Sequence, residues 1–118
     1  MNVVKLYQDA VLPYSVDKEG YIFILSAYLK EPLEVYSMCE VTVTTGLMFE
    51  LNEEIMLIRS LEGSKLVVQD NSIIMTEDIE NELVLHLKNV GWDTITLQSG
   101  VPIGNVLFLK PIRFNLEE

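Results

Sequence analysis

Apolar residues along the chain recur with a period close to two, the signature of half-buried strands rather than helices. Val35, Ser37, Cys39, Val41 and Val43 fall on one side of an extended segment, with Tyr36, Met38, Glu40, Thr42 and Thr44 on the other. Leu83, Leu85 and Leu87 alternate with Val84, His86 and Lys88, and Ile95 and Leu97 alternate with Thr94 and Thr96. Short apolar runs at 3–6, 21–25, 47–51, 55–58, 66–68, 73–75 and 106–109 add further strands. Turn-forming clusters separate them at 18–20, 51–54, 62–64, 70–71, 90–91 and 99–100. Residues 77–85 are long enough for two helical turns, but their alternating continuation argues for strand. The pattern predicts about ten short strands and an all-β sandwich or barrel.

With 118 residues there is room for one domain, and no repeat, low-complexity tract or linker divides it. Hydrophobic residues make up 49% of the chain, which excludes disorder. No segment reaches the ~18 apolar residues of a membrane helix. The start, MNVVKLYQDA, lacks the basic and apolar regions of a secretion signal. A single cysteine, Cys39, excludes an intramolecular disulfide and a multi-cysteine zinc site. These features predict a soluble protein of a reducing compartment, the cytoplasm.

Eight basic against eighteen acidic residues leave a net charge of −10. The six lysines and two arginines are scattered, so no basic stripe exists to release counterions from a nucleic-acid backbone.

Few residues offer chemistry. His86 alternates with leucines and reads as a sheet residue rather than a general base. Cys39 reads as a small core hydrophobe. A Cys39–His86 nucleophile pair is the weaker alternative for both. No glycine pattern matches a phosphate-binding loop. The acidic run at 76–82 has oxygen ligands for a hard cation, but it lacks the glycine of an EF-hand loop and reads as a solvated turn. Arg59-Ser60, a guanidinium beside a hydroxyl at a strand end, is a candidate anion contact, with a surface arginine as the plainer reading.

The order of these pieces resembles the trimeric dUTPase and dCTP deaminase-like family. Pro13 and Gly20 lie where the family's first motif falls, Thr45-Gly46-Leu47 resembles its T-G-I/V/L turn, and Arg59-Ser60 resembles the R-S of its second motif. Residues 82–89 resemble the strand that follows its third motif. Gly100-Val101-Pro102-Ile103-Gly104-Asn105-Val106 has the outline of its fourth, G-D/E-R-I-A-Q-L/M. The resemblance spans nearly the whole chain and implies a dUTPase-like distorted β-barrel or jelly-roll-type sandwich, residues 1–118 forming a single domain. It extends to the dUTPase-derived early-region proteins of adenoviruses, through the Leu12-Pro13 pair and the run at 73–78.

The departures fall on the chemistry. In the third motif, G-V-I/V-D-x-D-Y-x-G, the family's first Asp activates water and its Tyr packs on uracil. These positions correspond to Thr76 and Ile79 here, and the second Asp is retained as Asp78. Threonine has no basicity near neutral pH and is no substitute for a carboxylate. Placing Asp78 at the water instead would spoil the alignment of the following strand. The Asp/Arg of the fourth motif becomes Val101-Pro102, its Gln becomes Asn105, and the Asp of the first becomes Ile22. The family's Gly-rich C-terminal arm has no counterpart. Glu118 lacks the hydrophobic character that PDZ recruitment by the adenoviral relatives requires, so that activity is not carried over.

The resemblance therefore predicts a catalytically inactive, dUTPase-like homotrimer of viral or phage origin that binds a protein partner. It has no catalytic residue and no metal or cofactor. Arg59, Ser60, Ile79 and Asn105 are its vestigial nucleotide-binding residues. Val106, Phe108, Ile112, Phe114 and Leu116 are its expected oligomer interface. Three alternatives stay open: a hydrolase with an altered, Mg²⁺-dependent site, a nucleotide binder without turnover, and an acidic mimic that blocks a DNA-binding protein. Membrane contact and direct nucleic-acid contact are not expected.

Overall fold

The computed structural model describes residues 2–50, 56–69, 73–74 and 82–117. Among these residues there is no helix, and none is therefore long and apolar enough to cross a membrane. The strands are β1 (Asn2–Lys5), β2 (Tyr14–Ser15), β3 (Ile22–Ser26), β4 (Leu33–Val35), β5 (Glu40–Thr44), β6 (Leu47–Glu50), β7 (Met56–Arg59), β8 (Leu66–Val68), β9 (Ile73–Ile74), β10 (Val84–Asn89), β11 (Ile95–Leu97), β12 (Pro102–Phe108) and β13 (Asn115–Glu117). The all-β expectation holds.

Among the described residues four sheets share one core. The largest has the order β2-β3-β12-β7-β9, a second is β5-β10-β8, a third is β13-β1-β6, and β11 pairs with β4. Among the described residues all pairings are antiparallel except β1 with β13. The period-two pattern explains which side chains point inward. Leu85 and Leu87 of β10 are buried while His86 faces out, and Val106 and Phe108 of β12 are buried on either side of Leu107. Phe23, Leu25, Leu47, Phe49, Met56 and Ile58 complete the centre. Each such side chain, fully buried, contributes roughly 1.5–3 kcal/mol. Phe114 joins it from the segment after β12, meeting Phe23, Phe49 and Phe108 edge-to-face at 4.8, 5.8 and 6.0 Å between ring centroids.

Two sequence expectations are corrected here. The alternation over 35–44 is not one strand: a turn at 36–39 divides β4 from β5, with Cys39 N–H donating to Tyr36 O at 3.0 Å and Met38 at φ 65°. A left-handed residue cannot sit inside a strand, so the alternation loses its phase there. Cys39 consequently is exposed rather than core. Strands β2 and β13 had no periodic signal, because two or three residues carry no period. Of the ambiguous window 77–85, residues 77–81 lie outside the described residues, and its end enters β10 at Val84.

Candidate functional site

Arg59 ends β7 and stands directly opposite Asn105 of β12. Their neighbours Ile58 and Val106 point into the core, so the strand alternation turns both polar side chains outward on the same face. Arg59 Nε donates to Asn105 Oδ1 at 3.0 Å. That bond orients the guanidinium through its Nε. Among the described residues no carboxylate forms an ion pair with it. Ser60 Oγ accepts the Val68 N–H at 2.9 Å, which brings β8 against the end of β7 and leaves the hydroxyl proton as a donor. Arg59 and Asn105 thus form a small polar pair on the outward face, and the Ser60 hydroxyl, next in the chain, turns to β8.

The loop between β2 and β3 is closed by a carboxylate of the chain itself. Asp17 accepts the Ile22 N–H at 3.0 Å and the Tyr21 N–H at 3.0 and 3.1 Å, and Ser15 Oγ donates to it at 3.1 Å. The Ile22 amide, then the Tyr21 amide, hold the Asp17 carboxyl below its ordinary pKa. Ile22 itself is half-buried and pairs with Leu107, so the position resembling the family's first-motif Asp is a packing residue here.

The Thr45-Gly46-Leu47 turn anchors the chain just before β10. Gly46 has φ +71° and is buried; a Cβ there would lie 2.9 Å from Ala10 Cβ and 3.1 Å from Tyr28 Cγ. Its N–H donates to Glu82 Oε2 at 2.7 Å, and Thr45 Oγ1 donates to Leu83 O at 2.7 Å. Glu82 is therefore a structural acceptor at the end of the acidic run. Thr76, Asp78 and Ile79 lie outside the described residues. Among the described residues no three His, Cys, Asp or Glu side chains gather as a metal site.

His86 is exposed on β10, its Nδ1 2.9 Å from Thr42 Oγ1 of β5, while Cys39 belongs to the 36–39 turn. They are not assembled as base and nucleophile. The residues expected at an oligomer interface lie as follows. Val106 and Phe108 are 0% and 1% exposed within the chain's own core. Ile112 and Phe114 are half-buried against the same core. Leu116 pairs through its backbone with Val3 of the same chain.

Two organising residues carried no sequence signal strong enough to find them. Asp17 is one, and a D-x-x-G turn was its faint mark. The other is Asn89, buried at the end of β10. Its Nδ2 donates to Val35 O at 2.9 Å and Asp93 O at 2.8 Å, and its Oδ1 accepts the Gly91 N–H at 2.9 Å. Only the short distance to Gly91 hinted at a loop anchor.

No model of a known protein family matches the chain. No curated protein matches it either. Solved structures do. The dUTPase of Staphylococcus bacteriophage 80alpha superposes with a TM-score of 0.77 at 14% identity, over 98% of this chain and 93% of that one. The dUTPase of phage phi11 of S. aureus gives 0.78 at 14% identity, over 98% and 93%. That of Streptococcus mutans gives 0.75 at 17% identity, over 98% and 99%. This chain has the dUTPase fold. Within that fold the cross-strand pairing of β7 with β12 brings together Arg59 and Asn105, which lie far apart in sequence, and Ser60 follows at the strand end.

Proposed function

We propose that this protein is a non-catalytic member of the dUTPase fold that works as a homotrimer by binding a protein partner, in a virus or phage. The observation that carries the reading is the Arg59–Asn105 pair that β7 and β12 bring together: neither side chain is a general base. In the sequence, the position that resembles the family's water-activating Asp is Thr76, which has no proton acceptor of useful basicity. Ile22 and Val101-Pro102 remove three further polar positions. Phage dUTPases among the structural neighbours support the viral or phage origin. Exposed Val16 and Leu109, apolar side chains that a single chain leaves in water, support assembly into a larger particle. A trimer would carry three times −10, or −30, so its contacts must keep carboxylates apart.

The test is pyrophosphate release from dUTP and the other deoxynucleoside triphosphates with Mg²⁺, beside light scattering. The reading expects no turnover and the mass of three chains. Robust release from dUTP that Thr76→Ala diminishes would overturn it.

A second reading has an observation of its own. The Arg59 side chain is oriented by Asn105 through its Nε, and a guanidinium suits a phosphate contact. A nucleotide binder without turnover would show heat on calorimetric titration with dUTP, lost in Arg59→Ala. No heat with any nucleotide removes this alternative.

A further inference from the structure

Two neighbouring loops present an apolar cluster that the fold does not use. Tyr36 and Met38 project from the 36–39 turn, Met38 at 60% exposure, while Val90 and Trp92 project from the loop after β10, Trp92 at 95%. The loops are tied side by side: Met38 N–H donates to Asn89 O at 2.7 Å, Asn89 N–H to Cys39 O at 3.0 Å, and Ser37 Oγ to Gly91 O at 2.5 Å. Beneath Trp92 lies an open cavity of about 450 Å³ lined by Lys65, Asn89, Val90, Gly91, Asp93 and Ile95.

The platform is rigid where the side chains are bare. Asn89 fastens Val35, Gly91 and Asp93 from a buried position, so little loop entropy remains to be lost when the cluster is covered. Left-handed Met38 directs a thioether outward from a tight turn instead of tucking it under a sheet. Trp, Tyr and Met are the residue types enriched in protein interfaces, and exposed Trp and Tyr are frequent hot spots. Acids flank the cluster. Glu34 accepts the Tyr36 hydroxyl at 3.1 Å, Asp93 follows Trp92, and Glu40 follows the turn, all three exposed. Against them stand Lys65 in the cavity and Lys88, which pairs across the sheet with Glu40. With −10 on the chain, the field reaching an approaching molecule is negative.

We infer that the Tyr36/Met38/Val90/Trp92 face is the docking surface for a protein segment that presents a large apolar anchor flanked by lysines and arginines. This rests on the partner-binding reading above and adds where and by what chemistry the partner is held. The apolar anchor enters beside Trp92, and the basic flanks answer Glu34, Glu40 and Asp93. Complementary charge governs encounter, and the aromatic contact governs residence.

Trp92 is the sole tryptophan of the chain, so its fluorescence reports on this face alone. The experiment uses the full chain to select from a displayed random-peptide library without tryptophan, and then titrates the enriched peptides. The expected peptides have a large apolar centre and net positive charge, shift Trp92 emission to the blue, and weaken as salt rises. Trp92→Ser and Met38→Ser should each reduce affinity about tenfold or more by anisotropy of labelled peptide. Both side chains are exposed, so both variants should keep the wild-type melting temperature.

Failure to enrich any peptide, enrichment of acidic peptides, or full affinity in Trp92→Ser would each overturn the inference. So would a blue shift that grows with protein concentration alone and vanishes on dilution, because a second copy would then be the occupant. Nucleotide turnover in the same samples separates the two readings. Turnover with peptide binding intact defeats the non-catalytic reading and leaves the docking face. No turnover with no peptide binding defeats only the docking face.

Discussion

Replacing Asn89 with alanine removes three hydrogen bonds from a fully buried position, at 2.8, 2.9 and 2.9 Å. The side chain's partners are backbone groups: the carbonyls of Val35 and Asp93 and the N–H of Gly91. Val35 is itself 0% exposed, so its carbonyl has no ready access to replacement water. Each lost bond costs about 1 kcal/mol net, and a buried acceptor left unmade raises its share to about 1–3 kcal/mol. Together they predict a loss of about 3–4 kcal/mol, a large part of the 5–15 kcal/mol typical of a domain. Urea unfolding followed by circular dichroism should show the midpoint fall with an unchanged m-value. A loss under about 1 kcal/mol would refute the view that Asn89 organises this end of the molecule. Asn89→Asp sharpens the test, because it sets a carboxylate against two carbonyl oxygens. Burial would raise the pKa of the introduced carboxyl in the folded state above its unfolded value. Stability of that variant should therefore be greatest at acid pH and decline as pH rises through the raised value. A variant with no such decline would place the side chain in water and contradict its burial.

Phe114→Ala should cost about 3 kcal/mol, the low end for a phenylalanine since the ring is only half-buried, read by denaturant midpoint. A wild-type midpoint with a smaller mass by light scattering would instead make Phe114 an interface residue. Gly20→Ala should cost about 2–3 kcal/mol by the same assay, because φ is +88° and the new Cβ would lie 2.8 Å from the Ile112 carbonyl oxygen. A neutral result would mean that the β2–β3 loop does not pack on that segment. Asp17 has a folded pKa below its ordinary 3.8, so its contribution is present above that pH and is lost as pH falls through the lowered value. Asp17→Asn should flatten the acid limb of the stability profile; an unchanged limb would assign acid unfolding to other carboxylates.

The alternation of Leu85 and Leu87 with His86 specified both strand and facing, because a period of two leaves each side chain only one buried choice. The same rule failed over 35–44. Side-chain identity keeps its alternating look through Tyr36-Ser37-Met38-Cys39, whereas the backbone reverses there through a left-handed methionine, a conformation that no periodic pattern encodes. Arg59-Ser60 was legible as a candidate anion contact from residue type alone. Its pairing with Asn105 required knowing that β7 lies beside β12, a contact across 46 residues that only topology supplies. Val106 and Phe108 were legible as apolar but not as inward or outward. An interface strand and a core strand look alike until the sheet order is known. Asn89 was illegible, since a polar residue after a leucine strand reads as a turn and not as a buried anchor.

These strands also separate the packed core from the outward polar positions. In β7, Ile58 is buried and Arg59 is exposed; in β12, Val106 is buried and Asn105 faces out. Core and site therefore occupy alternate positions of the same strands, and a change at an outward position leaves the packed side untouched. At Pro102 and Ile103 the same alternation holds, with Pro102 exposed and Ile103 buried in the core. This separation is how two chains at 14% identity superpose with a TM-score of 0.77. It also implies where new function is free to appear. Loops joined to the core by one buried polar anchor, as Asn89 joins the 36–39 and 90–94 loops, accept exposed tyrosine, methionine and tryptophan without a packing penalty. The Arg59–Asn105 pair and the apolar face at Trp92 are thus separate features of one scaffold, and substitutions at the two should combine additively in both stability and binding.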